Sequence, residues 1–223
     1  MTAPASAPSN QSSRASPAAP GLTRERIVAA ALAEIETVGL AGFSTRGLGK
    51  RLGCEAMSIY HHFPSKRHLL DALVDQALAS IEWGAPELSP IEQLRATMYG
   101  YRAMAHRFAP LYPLVALHRL NTETGARAIE RVLRQVQAVV GDAEKAARHF
   151  RTLGYYLTGA ALDETAGYAK GPSAAEPASD AYIARECPTL AAAARYFQRD
   201  QWDTTFARGV EAMLAAVQRD AAS

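Results

Sequence analysis

Between Thr45 and Lys66 the chain carries side chains whose types and spacing suit contact with a nucleic acid. Ser58 can donate or accept a hydrogen bond at a base edge, and Met57 offers apolar contact to a thymine methyl. His61 can address a base edge or a phosphate. Tyr60, His62 and Lys66 are spaced for phosphate oxygens. Thr45 and Arg46 can bind phosphate through a helix-start backbone and a guanidinium. Lys50 and Arg51 add positive field. From Ser44 to Arg67 there are five basic residues against one acidic, whereas from His68 onward there are 16 basic and 18 acidic. The positive charge is therefore concentrated where these side chains lie, although the chain as a whole is only +2.

Two short helices joined by a tight turn are needed to present such a set. Ser44 or Thr45 can cap the first, and Leu48 and Leu52, four apart, face inward together. Gly53 makes the turn. A following helix over about 55–62 buries Ala56, Ile59 and Phe63 on one side and presents Met57, Ser58 and His61 on the other, with Tyr60 and His62 at the edges. Pro64 ends it, since the residue before a proline avoids helical geometry. Ser65 then caps a longer helix with Leu69, Leu70, Leu73, Ala77, Leu78 and Ile81 as its apolar stripe, closed by Trp83-Gly84-Ala85-Pro86. This is the layout of a helix-turn-helix whose second helix lies in a major groove. Gly47 and Gly49 each cost about 1 kcal/mol in a helix interior. Close crossing of the next helix accounts for Gly49, while nothing in the sequence accounts for Gly47.

Upstream, Thr23 can cap a helix with Ile27, Ala31, Ile35 and Val38 at helical spacing, ended by Gly39; Leu40 and Phe43 tuck beneath the next two helices. Residues 1–20 are rich in Ala, Pro and Ser with Arg14 as their one charge. They lack the apolar core of a signal peptide and are expected to form a disordered tail. Downstream, helical periodicity recurs near 90–107, 109–120, 122–140, 142–166 and 199–219, with Asp142 and Asp200 as caps for the last two. Residues 167–188 read as a long loop or lid, and 189–197 as a short helix. No apolar run reaches the ~18–20 residues of a membrane span. Cys54 and Cys187 belong to no metal-like cluster, and free thiols fit a reducing cytoplasm. The expected fold is all-α: a three-helix helix-turn-helix unit over 21–67 and a helical bundle over 68–223.

The motifs GLAGFSTRGLGKRLG and SIYHHFPSKRHLLDALVDQAL carry a family resemblance. The segment from Thr23 to about Leu78 resembles the N-terminal domain of TetR-family transcriptional regulators, and within the family it looks most like the tetracycline-repressor branch. Two features depart from that pattern. Gly47 and Gly49 stand where larger residues or Ala are usual, and His61 stands where tetracycline repressors carry Trp, so their operator preference does not carry over. The resemblance implies a homodimer on a pseudo-palindromic double-stranded DNA operator, released by a small-molecule effector. It also implies that the last two long helices form a four-helix bundle with those of a partner. Suitable stripes are Phe150, Leu153, Leu157 and Ala161 with Gly154, Gly159 and Ala160, and Trp202, Phe206, Val210, Met213 and Val217. Candidate effector-pocket residues are Met98, Tyr99, Met104, Tyr112, His118, Phe150, Tyr155 and Tyr156, aromatic and polar groups interleaved on the middle helices.

No metal site is expected, because His106, His118 and His149 lack helical i, i+4 pairing; no cofactor is expected either. The chain shows no G-x-S-x-G elbow, phosphate-binding Gly loop or H-E-x-x-H, so it does not read as an enzyme. Asp163-Glu164 reads as a solvated or capping pair. Two readings stay open: an effector-responsive cytoplasmic repressor, favoured by an open apolar cavity, and a dimeric DNA-binding regulator without a small-molecule effector, favoured by a filled core.

Overall fold

A computed structural model describes residues 21–118, 120–166 and 174–222; the tail over 1–20 and the first part of the expected loop, 167–173, lie outside them. Among the described residues the regular structure is wholly helical: α1 Arg24–Gly42, α2 Thr45–Leu52, α3 Ala56–Tyr60, α4 Lys66–Ala79, α5 Pro90–Arg107, α6 Tyr112–Leu117, α7 Glu123–Val140, α8 Ala143–Ala166, α9 Asp180–Glu186, α10 Pro188–Ala193 and α11 Trp202–Ala221, with short 3-10 turns at Ala194–Phe197 and Arg199–Gln201. None of these helices is long and apolar enough to cross a membrane.

The caps match the sequence closely. Thr23, Ser44 and Ser65 each accept a backbone N–H at the start of α1, α2 and α4, and such a cap contributes about 1 kcal/mol. Thr122 does the same for α7, and the Asp142 carboxylate accepts from the Lys145 N–H at 2.8 Å to open α8. Asp200 does not cap α11; it lies in the Arg199–Gln201 turn, and α11 starts without a side-chain cap. Gly39 leaves helical geometry at φ 71°, as a chain break in α1 requires, but one further turn runs on to Gly42. Val38 is not part of the buried stripe: the break turns it outward, and it is 45% exposed.

Two helices are shorter than their periodicity suggests. The third spans Ala56–Tyr60 only, because Pro64 forces a tight turn in which the N–H groups of His62 and Phe63 both reach back to Ile59. Helix α4 stops at Ala79, where the Ser80 hydroxyl donates to the Ala77 carbonyl at 2.7 Å. Residues 81–84 then run as a strap across α5. A Cβ at Gly100 would lie 2.0 Å from the Glu82 carbonyl oxygen, and one at Gly84 2.5 Å from the Gln93 Cα. Both glycines are required by this crossing. The expected loop over 167–188 is partly helical, since α9 occupies 180–186, with Ser179 accepting from the Tyr182 N–H.

Two apolar cores result. The first joins α1–α4 to Met104, Ala105, Leu111, Tyr112, Val115 and Ala161 without a break. The second packs α5, α7, α8 and α11 around Leu94, Met98, Val136, Leu153, Phe206, Val210 and Val217. This corrects the stripes assigned to a partner. Phe206, Val210, Val217, Leu153 and Ala161 fill this chain's own interior, because an amphipathic helix covers its apolar face with the nearest neighbour first. The outward face of α8 carries Arg148, Thr152, Tyr155 and Gly159 instead, and that of α11 carries Thr205, Arg208 and Ala212.

Candidate nucleic-acid interface and helical cavity

Helices α2 and α3 cross at contact distance. A Cβ at Gly49 would sit 2.8 Å from the Cys54 carbonyl oxygen and 3.3 Å from the Ala56 nitrogen, so only glycine permits the approach. Gly53 turns the chain in the left-handed region at φ 68°, and the Cys54 N–H closes on the Gly49 carbonyl at 3.0 Å. Gly47 also has a structural account. A Cβ there would meet the Glu34 carboxylate at 3.0 Å and the capping Ser44 hydroxyl at 3.2 Å.

That crossing fixes the sequence-predicted residues on one surface. Ile59 and Phe63 are fully buried beneath it, and Ala56 is half-buried. Met57 is 68% exposed, His61 is exposed, and Ser58, Tyr60 and His62 are half-buried at the same face. Thr45 starts α2, and its hydroxyl lies 3.3 Å from that of Tyr60, so the two oxygens can share one phosphate. Arg46 is exposed on the next position. The Lys66 ammonium donates to the Phe43 carbonyl at 2.8 Å and lies 5.2 Å from that ring's centroid. An ammonium has three donors, so this anchor leaves two for another acceptor.

Two clamps escaped the sequence reading. The Arg24 guanidinium donates to the His62 carbonyl and lies 4.1 Å from the centroid of the Phe63 ring, holding the end of α3 against α1. Arg51 does more than add field: it donates to Glu34 at 2.6 Å and to Thr37 at 3.2 Å, which ties α2 to α1. Both pairs are distant in sequence and carry no local signal.

A cavity of about 530 Å³ opens between α5, α6, α7 and α8. Its walls include Trp83, Met98, Tyr101, His118, Phe150, Arg151 and Tyr155. Of the candidate pocket residues, Met98, His118, Phe150 and Tyr155 line it. Tyr99, Met104, Tyr112 and Tyr156 lie elsewhere. Tyr99 packs edge-on to Phe206 at 5.3 Å between centroids, and the Tyr156 hydroxyl donates to the Phe206 carbonyl at 2.8 Å. Tyr112 is wholly buried 3.0 Å from the Tyr101 hydroxyl; burial, then Tyr101, pushes its phenol far up. Met104 belongs to the first core.

The cavity wall is wired to α4. The His118 Nε2 lies 2.8 Å from the Asp71 carboxylate, and the Thr122 hydroxyl donates to Asp75 at 2.6 Å. Asp71 and Asp75 are one turn apart on α4, and their partners bracket the connection between α6 and α7. The His118 Nδ1 is buried without a hydrogen-bond partner.

Glu164 is neither solvated nor a cap. Its side chain is 6% exposed and takes two hydrogen bonds from Arg102, at 2.7 and 3.1 Å, with His106 Nε2 at 2.7 Å. Arg102 also reaches Asp203 at 2.8 Å. Burial works against the Arg102 charge, yet the hydrogen bonds to Glu164 and Asp203 outweigh it and raise its pKa. The cluster joins α5, α8 and the first turn of α11. Among the described residues, no group of three or more His, Cys, Asp or Glu is placed to hold a metal ion.

The sequence profile of the bacterial regulatory proteins of the tetR family matches residues 27–73. The tetracycline repressor protein class A from transposon 1721 of Escherichia coli is 30% identical over 198 residues, covering 84% of this chain and 87% of that one. The Streptomyces coelicolor TetR family protein ActR, solved in complex with (S)-DNPA, superposes with a TM-score of 0.71 at 25% identity over 90% of this chain and 99% of its own. A TetR from Acinetobacter baumannii AYE in complex with minocycline has the same fold, with a TM-score of 0.69 at 23% identity over 89% and 98% of the two chains.

Proposed function

The chain belongs to the tetR family of bacterial regulatory proteins, and from that membership we propose that it is a dimeric repressor that leaves a pseudo-palindromic operator when a small molecule fills its cavity. Residues 21–67 form the reading head. Helix α3 enters the major groove, with Met57, Ser58 and His61 toward base edges. Thr45, Arg46, Tyr60, His62 and Lys66 take phosphates. Residues 68–223 form the sensor and the dimer contact, with the outward faces of α8 and α11 toward the partner. Regulation of transcription is the family's work, and we assign no catalytic step to the chain.

The observation that carries this reading is the wiring of α4. Along its length, from Leu69 to Leu78, α4 shares the first core with the reading head. Its middle is bonded through Asp71 to His118 at the cavity wall and through Asp75 to Thr122 at the start of α7. A ligand that displaces the connection between α6 and α7 therefore pulls on the helix that carries the head. The open apolar cavity favours the sensor over an effector-free regulator, and the small-molecule complex of ActR supports the same assignment.

Coupling of this kind is reciprocal: operator DNA weakens the effector by the factor with which the effector weakens the operator, typically about 1–3 kcal/mol. Selection of bound DNA from a random pool identifies the operator. Titration of that operator with and without candidate effectors then tests the switch. A pool without a two-fold repeat refutes the dimeric reading head. Operator affinities that no cavity ligand changes refute the sensor.

A further inference from the structure

The reading helix is too short to hold itself. Helix α3 has five residues, Ala56–Tyr60, and isolated helices below about 12–15 residues are marginal in water. Its orientation must therefore come from contacts at its two ends. At the start, the crossing at Gly49 seats it on α2. At the far end the N–H groups of His62 and Phe63 both close on the Ile59 carbonyl at 3.0 Å. The carbonyls that follow have no partner within the helix. Arg24, in the first turn of α1 and 38 positions away, donates to the one at His62, and its guanidinium lies 4.1 Å from the centroid of the Phe63 ring. Phe63 is itself buried in the first core. A planar guanidinium that bonds and stacks at once allows less play than a flexible ammonium. Glu25 stands next to it on α1. Its own backbone N–H and the Thr23 hydroxyl, with the charges of Arg24 and His62 adding to them, hold its carboxyl below the ordinary value of 4.5. An ionised carboxylate beside Arg24 offsets the attraction of that guanidinium for phosphate.

We propose that Arg24 is a positioning residue for operator recognition, which sets the angle at which α3 presents Ser58 and His61 and does so without touching DNA. The proposal rests on the reading head described above. Without this clamp the end of α3 loosens in the free protein, and operator binding has to order it again. That cost falls on base contacts, which need α3 seated in the groove. It spares random duplex, which is held through phosphates alone.

The test uses the full-length protein, the operator selected from a random pool, and a random duplex of equal length. Arg24→Met keeps an apolar stem over Phe63 and removes the hydrogen bond, whereas Arg24→Lys keeps the charge without the planar fork. Loss of a hydrogen bond from a charged donor is expected to weaken the operator about ten-fold for each head, hence about a hundred-fold for a dimer on both half-sites. Random duplex should stay within about two-fold of the parent, and the salt slope on the operator should not change. Arg24→Lys should recover only part of the loss, and a repeated selection with Arg24→Met should return a more degenerate site. Operator and random duplex weakened alike, with a salt slope lowered by about one per head, would make Arg24 a phosphate contact and overturn the proposal. Full recovery by Arg24→Lys does the same, since charge alone would then suffice. A lowered Tm with the ratio of operator to random binding intact reduces Arg24 to a fold contact and also overturns it. A parent protein that selects no sequence overturns the reading head and the proposal together. A parent that selects a site which both variants bind equally well overturns the proposal alone.

Discussion

Two glycines lie two positions apart in α2, and alanine at each should have different consequences. At Gly49 the new Cβ would sit 2.8 Å from the Cys54 carbonyl oxygen and 3.3 Å from the Ala56 nitrogen. Both are backbone atoms of the turn and of the first turn of α3, so relief requires moving α3 itself. Overpacking of this kind costs about 1–3 kcal/mol, against about 1 kcal/mol gained from helix propensity. The net loss is up to about 2 kcal/mol, or a fall in Tm of up to about 8 °C for a chain of this size. At Gly47 the new Cβ would meet the Glu34 carboxylate at 3.0 Å and the Ser44 hydroxyl at 3.2 Å. Those are side-chain ends, the capping Ser44 hydroxyl and the Arg51-paired Glu34 carboxylate, that need give by only a few tenths of an ångström, so Gly47→Ala should stay within about 1 kcal/mol of neutral. Thermal melting monitored by circular dichroism compares the two variants. Operator affinity at fixed salt adds a second reading, because a displaced α3 lowers affinity further than the melt alone accounts for. A Gly49→Ala protein that melts at or above Gly47→Ala refutes the claim that this crossing sets the position of the reading helix.

The same geometry carries three further expectations. Tyr60→Ala and Lys66→Ala should weaken all DNA sequences alike and lower the salt slope of binding by about one each, whereas Ser58→Ala or His61→Ala should change base preference in a selection experiment; unchanged binding in all four removes α3 from the groove. Removing both latch carboxylates, Asp71→Ala with Asp75→Ala, should largely abolish the effector-induced change in operator affinity, since each charged hydrogen bond is worth about 1.5–3 kcal/mol, as much as the whole coupling; an undiminished change means the signal travels by another route. The Glu211 carboxyl is held below its ordinary value of 4.5 by the hydrogen bonds from Arg95, with their mutual charge adding to it. A depressed carboxyl pKa adds stability above the unfolded value and loses it as pH falls through the folded one. Glu211→Gln should therefore lower Tm at pH 7, and the difference from the parent should shrink as pH falls below 4.5 and vanish once the folded carboxyl is protonated; a gap that persists in acid means that packing, not charge, holds α5 to α11 there.

The head was legible because its information is local. Caps at Thr23, Ser44 and Ser65, the turn at Gly53 and the stop at Pro64 each act within a few residues, and each lies where the sequence places it. The limits lie where distant segments meet. Glu164 reads as a surface acid until Arg102, 62 positions earlier, turns out to face it. Gly100 looks like a flaw in α5 until the Glu82 carbonyl is seen against it. Phe206 and Val210 announce an apolar stripe, but periodicity cannot say whether that stripe meets its own chain or another. The same ambiguity divided the aromatic residues of α5 and α8. Tyr155 reached the cavity, while Tyr99 and Tyr156 went to the packing around Phe206.

The strap over α5 has a mechanical meaning. Because the Glu82 carbonyl lies against Gly100 with no space for even a methyl group, the segment that follows α4 is seated on α5, and on the proposed reading this contact holds the C-terminal end of α4. What remains is rotation about that point. Helix α4 has 14 residues, a rigid rod of about 21 Å at 1.5 Å per residue. A tilt of roughly 10° at the pinned end carries the far end of such a rod, where Lys66 meets the reading head, through about 4 Å. That is a sizeable fraction of the roughly 12 Å width of a major groove. On the proposed reading, Gly100, which lies outside the cavity lining, would thus be the fulcrum about which α4 tilts, a position where any side chain breaks the strap contact.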